Sequence, residues 1–180
     1  KQVDKGNIRH CGLSNESAWG TAQWLRLSED RGLPRVATIQ NEYSLLCRLY
    51  DTDLAELSVN EEVGLIAFSP LAAGLLTGKY QNSVTPAGSR KTFTADLGGR
   101  TTQRVWPAVD AYSQIAAKHE VDIVHMSLAW CLTRPFMCSA IFGATRHAQL
   151  EHILKTKDVV LSAECLADIA AAHKSHPMPF

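Results

Sequence analysis

Three short apolar segments recur at nearly even spacing early in the chain, and this recurrence limits the possible folds more than any other feature. The segments cover residues 8–13, 36–40 and 63–68, so that each begins about 28 residues after the one before. Helical patterns at residues 17–31 and 51–62 lie between them. Strands that alternate with helices in this order are typical of a parallel sheet. The sequence therefore predicts an α/β fold.

The rest of the chain continues this pattern after one interruption. Residues 80–100 contain a proline, three glycines and several basic side chains, and they predict a long loop. A loop of this length inside a compact domain is usually a lid or a binding loop. A fourth strand is predicted at residues 139–142, and further helices are predicted at 101–119, 124–134, 147–155 and 162–173.

Composition excludes several classes of partner. The 180 residues have a formal net charge of zero, so no overall basic field favours nucleic acid or an acidic membrane surface. No apolar run approaches the ~20 residues of a membrane span. The five cysteines lack CxxC spacing and most lie in apolar segments, which indicates buried thiols in a reducing compartment, the cytoplasm. The scattered histidines lack a zinc ligand pattern, so we expect no metal site.

The end of the third predicted strand has the composition of a ligand-binding turn. Pro70 ends strand pairing, because it has no N–H to donate. Small residues follow, and they leave the backbone open to a close ligand until Lys79 supplies a positive charge. Phe68, bare backbone and a lysine suit a flat ring joined to phosphates. An ordinary strand exit with a solvated lysine is the alternative, and this segment alone does not decide between them.

Polar residues also follow the other predicted strands. Ser14 and Asn15 follow the first strand, Gln40 ends the second, and residues 143–146 follow the fourth. In a parallel α/β barrel, a site is assembled from successive loops at this end of the strands. In an open doubly wound sheet it lies where the strand order reverses. Both architectures stay open at this point.

The motifs of these segments resemble the aldo-keto reductase superfamily, particularly its Tas-like branch and more distantly the β-subunits of voltage-gated potassium channels. They occur in the family's order and cover nearly the whole chain: GLSN at 12–15, TIQNEYSLL at 38–46, FSPL at 68–71, LTGKY at 76–80, LAW at 128–130 and GAT with QL in 143–150. The resemblance implies that residues 1–180 form the C-terminal half of a (β/α)8 TIM barrel. It also implies NADP(H) as the cofactor and a small-molecule carbonyl compound as the substrate.

The resemblance assigns a role to each matching residue. Ser14, Asn15 and Gln40 would bind the nicotinamide carboxamide, and Phe68 would stack on the nicotinamide ring. Arg90 would close over the cofactor. The pyrophosphate would lie along a segment that comprises Ser69, Pro70, Leu71, Ala73, Gly74 and Lys79. The adenosine end, with its 2′-phosphate at a helix start, would contact Gly143, Thr145, Arg146 and Gln149. His152 and Ile153 stand where the family often has a Glu-Asn pair near the adenine.

The family's catalytic Asp, Tyr, Lys and His all come from the first half of its barrel, so we assign no catalytic residue here. The four tyrosines lie in the wrong context for the proton donor. The first residue is Lys1 and not methionine, so we expect a chain entered in the middle, inactive alone and paired with an N-terminal half-barrel. An upstream organellar targeting peptide stays open, as do the substrate and the oligomeric state. A nicotinamide-binding regulatory module is the alternative function.

Two other binding motifs are rejected. Residues 74–80 resemble a phosphate-binding loop, but one residue is missing between the glycines and Tyr80 replaces the Ser or Thr that would meet Mg²⁺. No GxGxxG motif occurs. The four tryptophans are expected to pack in the protein and not to form a stacking platform for bases.

Overall fold

A computed structural model describes the whole chain, Lys1–Phe180, as one parallel sheet with helices. Its four strands are β1 (Cys11–Ser14), β2 (Val36–Glu42), β3 (Gly64–Phe68) and β4 (Met137–Ile141). The helices are α1 (Ala18–Arg31), α2 (Leu54–Asn60), α3 (Val105–Lys118), α4 (Ile123–Leu132), α5 (His147–Leu154) and α6 (Ala163–Ser175). None of these helices has the length and hydrophobicity that a membrane crossing requires.

The strand order identifies the architecture. The sheet runs β1-β2-β3-β4, and every neighbouring pair is parallel. A doubly wound sheet would reverse its strand order at a switch point, whereas a barrel adds strands in chain order. The sheet is therefore consistent with part of a (β/α)8 barrel, and the prediction of an α/β fold is confirmed.

Helices cover one face of the sheet only. In β3, Leu65 and Ala67 are fully buried, whereas Ile66 and Phe68 between them are half-buried. We call the face that carries Ile66 and Phe68 the open face. The open face has no cover here, because the inner face of a barrel packs against strands from the opposite side and these four strands have none there.

Some element boundaries differ from the predictions for local reasons. β1 begins at Cys11 and not at residue 8, and its register with β2 shifts between Cys11 and Gly12. β2 continues through Asn41 and Glu42, which were predicted to be loop, because they pair with Ala67 and Phe68 of β3. The other boundaries lie within the few residues by which helix ends commonly vary, except that the second and third helices start later than predicted.

The helix caps explain where several helices start and stop. Ser17 caps α1 by accepting a hydrogen bond from the Gly20 N–H at 3.0 Å. Gly32 ends α1 in the left-handed conformation, with φ 58°. Ser162 caps α6 by accepting a hydrogen bond from the Cys165 N–H at 3.1 Å.

Of the four tryptophans, two pack as predicted and two do not. Trp130 is buried in α4, and Trp106 packs partly against the core. Trp19 and Trp24 on α1 are 75% and 49% exposed. Their exposure follows from the position of α1 at one end of the sheet, where it turns only Thr21, Leu25 and Ser28 into the interior.

The cysteines are all free thiols, and three of them are buried. Burial raises the pKa of Cys47 to about 11 and the pKa of Cys131 to about 12. Cys165 is the third buried thiol, whereas Cys138 is exposed on β4. The prediction that most of the thiols are buried is confirmed.

A partly buried polar cluster holds the segment after β2 against α4. Asp51 accepts hydrogen bonds from the Tyr43 hydroxyl and from Arg48 Nε, each at 2.7 Å. The Tyr43 ring stacks on Trp130 with centroids 5.3 Å apart, and Arg48 lies over the same indole. Burial, together with Asp51, raises the pKa of Tyr43 above its usual range. The cluster therefore fixes the carboxyl end of β2, where Gln40 and Glu42 lie.

We expect Asp51→Ala to destabilise the chain by about 3 kcal/mol, because it leaves the Arg48 charge and the Tyr43 hydroxyl without their buried acceptor. Urea unfolding followed by circular dichroism measures the effect. Asp30→Ala is the matched control, since Asp30 is exposed on α1 and has no ion pair; it should change stability by less than about 0.5 kcal/mol. Equal effects of the two substitutions would contradict the role of the cluster.

Candidate functional site

The register of the sheet brings the predicted nicotinamide-binding residues together. Ser14 is the register partner of Gln40, and Phe68 is the partner of Glu42, two residues beyond Gln40. Register partners in a parallel pair share a face, as do residues two apart along a strand. Ser14, Gln40 and Phe68 therefore lie on the open face at the carboxyl ends of three neighbouring strands.

The turn after β1 adds amide groups to this edge. Asn15 has φ 52°, a left-handed conformation that asparagine tolerates better than most residues. Its backbone N–H donates to the Gln40 carbonyl at 2.9 Å, and its Nδ2 lies 3.4 Å from Ser14 Oγ. Hydroxyl and amide groups that can both donate and accept are thereby collected within one turn of chain, as a carboxamide ligand requires.

The turn after β3 is a tight backbone cradle. Ser69, Ala72 and Ala73 have φ values of 52°, 47° and 56°, and Gly74 has φ 94°. A Cβ atom on Gly74 would lie 3.1 Å from Lys79 Nζ, so the absent side chain lets the lysine fold back over the turn. The Lys79 ammonium has no carboxylate partner, and it lies 5.0 Å from the centroid of the Tyr80 ring. The cradle therefore offers a free positive charge beside the half-buried backbone of Ala73 and Gly74.

The cradle is attached to the end of β4 by apolar packing. Pro70 is buried, and Leu71 packs together with Phe142 against a small cluster of Val124, Leu128 and Ile153. Phe68 is also the register partner of Ile141. The predicted pyrophosphate segment and the predicted adenosine segment are therefore neighbours.

The turn before α5 differs from the prediction in its hydrogen bonds. Gln149 Oε1 accepts from the backbone N–H groups of Thr145 and Arg146 at 3.0 and 3.2 Å, and from the Thr145 hydroxyl at 3.2 Å. These two N–H groups were predicted to bind a phosphate, and here they have a side-chain acceptor instead. Gln149 thus caps α5. The exposed Arg146 guanidinium forms no ion pair, so it is the positively charged group of this turn that is free to bind an anion. A Cβ on Gly143 would meet nothing within 4 Å, so no close contact requires glycine there.

Arg90 is not brought to the site. It begins a short 3-10 turn, Arg90–Thr92, and its exposed side chain forms no hydrogen bond or ion pair. The neighbouring Lys91 lies over the rings of Tyr80 and Trp106 instead, at 5.8 and 5.2 Å from their centroids. The role of Arg90 in closing over a cofactor stays a prediction.

The sequence reasoning missed a clamp at this edge, formed by Glu42 and Arg100. Arg100 Nε and Nη2 donate to the two Glu42 carboxylate oxygens at 2.9 and 2.8 Å, and Nη1 donates to the Leu97 carbonyl at 2.7 Å. The side chains are 15% and 21% exposed, so water screens the pair only partly. The clamp ties the far end of the 80–100 loop to the strand position beside Phe68. Its partners are 58 residues apart, and no spacing rule links them.

The carboxyl edge of the sheet has groups that suit a ligand, but no tyrosine hydroxyl is exposed there to donate a proton. All four tyrosines are at most 1% exposed. Tyr43 donates to Asp51, Tyr112 donates to the Leu45 carbonyl, and the Tyr50 hydroxyl pairs with Ser58. Burial raises the pKa of Tyr112 to about 12. These hydroxyls therefore serve the core.

Comparisons with known proteins agree with this geometry. A model of the aldo/keto reductase family matches residues 1–174. The chain is 41% identical to the protein tas of Escherichia coli over 174 residues, which is 97% of this chain and 50% of that protein. It is 36% identical to an aldo-keto reductase of Babesia bovis (82% of this chain, 54% of that protein). It is 34% identical to a probable voltage-gated potassium channel subunit beta of Arabidopsis thaliana (88% and 49%). The chain thus spans about half the length of these relatives.

We expect Arg100→Lys to release the 80–100 loop, because lysine keeps the charge but cannot form the paired hydrogen bonds to Glu42. Limited proteolysis should then cut within residues 81–104 several times faster than in the unaltered protein. Arg26→Lys is the control, since Arg26 is exposed on α1 and has no partner. Unchanged cleavage in Arg100→Lys would show that the loop is held by other contacts.

Proposed function

Because the chain belongs to the aldo/keto reductase family, we propose that it forms the cofactor-binding half of an NADP(H)-dependent enzyme that reduces aldehydes or ketones to alcohols. The proposal concerns the whole protein, of which these residues supply one part. The observation that carries it is the placement of Ser14, Gln40 and Phe68 on one open face at the carboxyl ends of adjacent strands.

This arrangement fits a nicotinamide. The Ser14 hydroxyl and the Gln40 amide can donate to and accept from a carboxamide, and the half-buried Phe68 side chain leaves ring surface free for stacking. When bound there, the reduced nicotinamide supplies the hydride for the carbonyl carbon. Phe68 would hold the ring with one face toward the barrel interior, which orients the transfer.

The phosphates of the same cofactor would be bound by the two free cations of the site. Lys79 lies over the cradle after β3 without a carboxylate partner, and Arg146 is exposed at the start of α5. A guanidinium can bind a phosphate with two parallel hydrogen bonds, which suits Arg146 for an adenosine 2′-phosphate and favours NADP over NAD.

The proton that the carbonyl oxygen takes up would come from outside these residues. Every tyrosine of the chain is buried and none reaches the open face. We therefore expect the isolated chain to bind the cofactor weakly at most and to reduce no carbonyl compound. The complete active site would need a general acid positioned over the open face.

We propose that a complementary half-barrel covers this chain in the whole protein. β1 and β4 are edge strands, and such edges pair readily with other strands. Beside β1, a groove of about 370 Å³ is lined mainly by apolar residues that include Trp24, Leu27 and Leu33. Trp24 and Leu33 are 49% and 53% exposed, so packing against a further element would remove a substantial apolar surface from water.

A nicotinamide-binding regulatory module is the second candidate, because the Arabidopsis relative is named as a potassium channel subunit. The same pocket would then sense the cofactor and the protein would act through a partner. Steady-state turnover by the whole protein separates the two functions, since only the enzyme reduces carbonyl substrates rapidly.

We place the protein in the cytoplasm, because its five cysteines are free thiols, as is usual in a reducing compartment.

We expect Phe68→Ala to weaken NADPH binding to the whole protein about tenfold, because the stacking surface for the nicotinamide is lost. Quenching of protein fluorescence by NADPH measures the affinity. Phe93→Ala is the matched control, since Phe93 is 84% exposed on the 80–100 loop. An affinity that is the same in both variants would contradict the assignment of Phe68.

Arg146→Ala should weaken NADPH at least tenfold and NADH less than twofold, because only NADPH carries the 2′-phosphate. The two cofactors are titrated in parallel under the same salt conditions. Arg9→Ala serves as the control, since Arg9 is exposed and precedes β1, at the opposite edge of the sheet. Equal weakening of both cofactors would indicate that Arg146 supports the fold and does not read the phosphate.

A further inference from the structure

A cluster of two histidines and one aspartate lies where α4 meets α5. Asp122 caps α4, and its Oδ1 accepts hydrogen bonds from the N–H groups of Val124 and His125 at 2.8 and 3.2 Å. His152 Nε2 lies 3.2 Å from the same oxygen. The rings of His125 and His152 are 4.5 Å apart at their centroids and are tilted by 31°. One potential ligand atom from each residue lies within 4.8 Å of the others.

We propose that Asp122, His125 and His152 bind a divalent transition metal ion of the Zn²⁺ type. Two imidazole nitrogens and one carboxylate oxygen are a ligand set that zinc accepts, with water as the fourth ligand. Ligands on a tetrahedral Zn²⁺ are about 3.3 Å apart, given bond lengths of about 2.0–2.1 Å. Asp122 Oδ1 and His152 Nε2 lie 3.2 Å apart, so the Asp122 carboxylate is already within reach of an ion bound to His152.

The third ligand needs only a change of side-chain rotamer. His125 Nε2 lies 2.7 Å from the His152 carbonyl oxygen, so its ring is held beside the ring of His152. If His125 Nε2 gave up that hydrogen bond to bind the metal, the His125 ring would rotate within the space that it already occupies. Asp122 can contribute without uncapping α4, because Oδ1 receives the helix N–H groups and Oδ2 accepts no hydrogen bond.

Access and charge also favour a cation here. The side chains of His152 and Asp122 are 43% and 40% exposed, so an ion can reach them from solvent. No lysine or arginine forms an ion pair with Asp122. The carboxylate is therefore free of the cation that commonly occupies such a position.

A second cluster of similar residues differs from the first because a lysine already occupies it. His119, Glu164 and Asp168 also bring three potential ligands together. There, however, Lys118 Nζ lies 3.0 Å from Glu164 and 2.8 Å from Asp168. The lysine ammonium supplies the positive charge that a metal would bring, and hydrogen bonds to Asp168 and Glu164 raise the pKa of Lys118. We assign a metal to the first cluster only.

The site was not visible in the sequence, where the expectation was that no metal binds. His125 and His152 lie on different helices, 27 residues apart, and no ligand motif links them to Asp122. The packing of α4 beside α5 brings the three together. A bound ion would join the start of α4 to the second turn of α5, and this inference does not depend on the proposed cofactor site.

The test uses chelator-treated full chain and Co²⁺ as a spectroscopic probe for Zn²⁺. We expect visible d–d bands typical of tetrahedral nitrogen and oxygen ligation, displaced by one equivalent of Zn²⁺. Zn²⁺ affinity, measured by competition with Co²⁺, should fall at least tenfold in His125→Ala, His152→Ala and Asp122→Asn. Asparagine still caps a helix, so Asp122→Asn removes the charged ligand while α4 is preserved.

His147→Ala is the matched control, because His147 is 81% exposed on α5 and faces only Glu151; its Zn²⁺ affinity should stay within twofold of the unaltered chain. Circular dichroism of the metal-free variants verifies that each one is folded. A thiolate charge-transfer band would place the ion on a cysteine such as the exposed Cys138 and would overturn the proposal. So would a Zn²⁺ affinity that Asp122→Asn leaves unchanged.

Discussion

The register between β2 and β3 is the constraint on which the rest of the structure depends. It pairs Gln40 with Ile66 and Glu42 with Phe68, and in the same step it turns Leu65 and Ala67 toward the helices. A slip of one residue would exchange the two faces, since side chains alternate along a strand. The core and the candidate cofactor face are therefore set by the same hydrogen bonds.

Two charged contacts hold the loops at this edge, and they differ in what surrounds them. Asp51 is shared by Tyr43 and Arg48 beneath the stacked rings of Tyr43 and Trp130, so it is part of the core. Glu42 instead lies at the rim and binds Arg100 from the long loop. The first contact stabilises the fold, and the second sets where the 80–100 loop lies relative to Phe68.

The groups proposed to bind the cofactor lie apart from the tyrosines of the chain. Hydroxyl, amide and aromatic groups meet at the open face, whereas all four tyrosines are used to build the interior. Under the proposed function, a general acid for carbonyl reduction would have to be supplied from outside these residues. This division is the physical reason to look for the remaining chemistry in a second half-barrel over the same face.

The sequence by itself determined the α/β class, the four strands, most helix positions and the group of residues at the strand ends, because alternation, caps and proline act over a few neighbouring residues. Strand periodicity alone could not choose between a barrel and a doubly wound sheet; the family motifs implied the barrel, and the order β1-β2-β3-β4 agrees with it. Only the tertiary structure paired Glu42 with Arg100, used Gln149 as a helix cap and brought Asp122 to His152. Such contacts join residues that different elements carry into place, and their geometry exists only after those elements have packed.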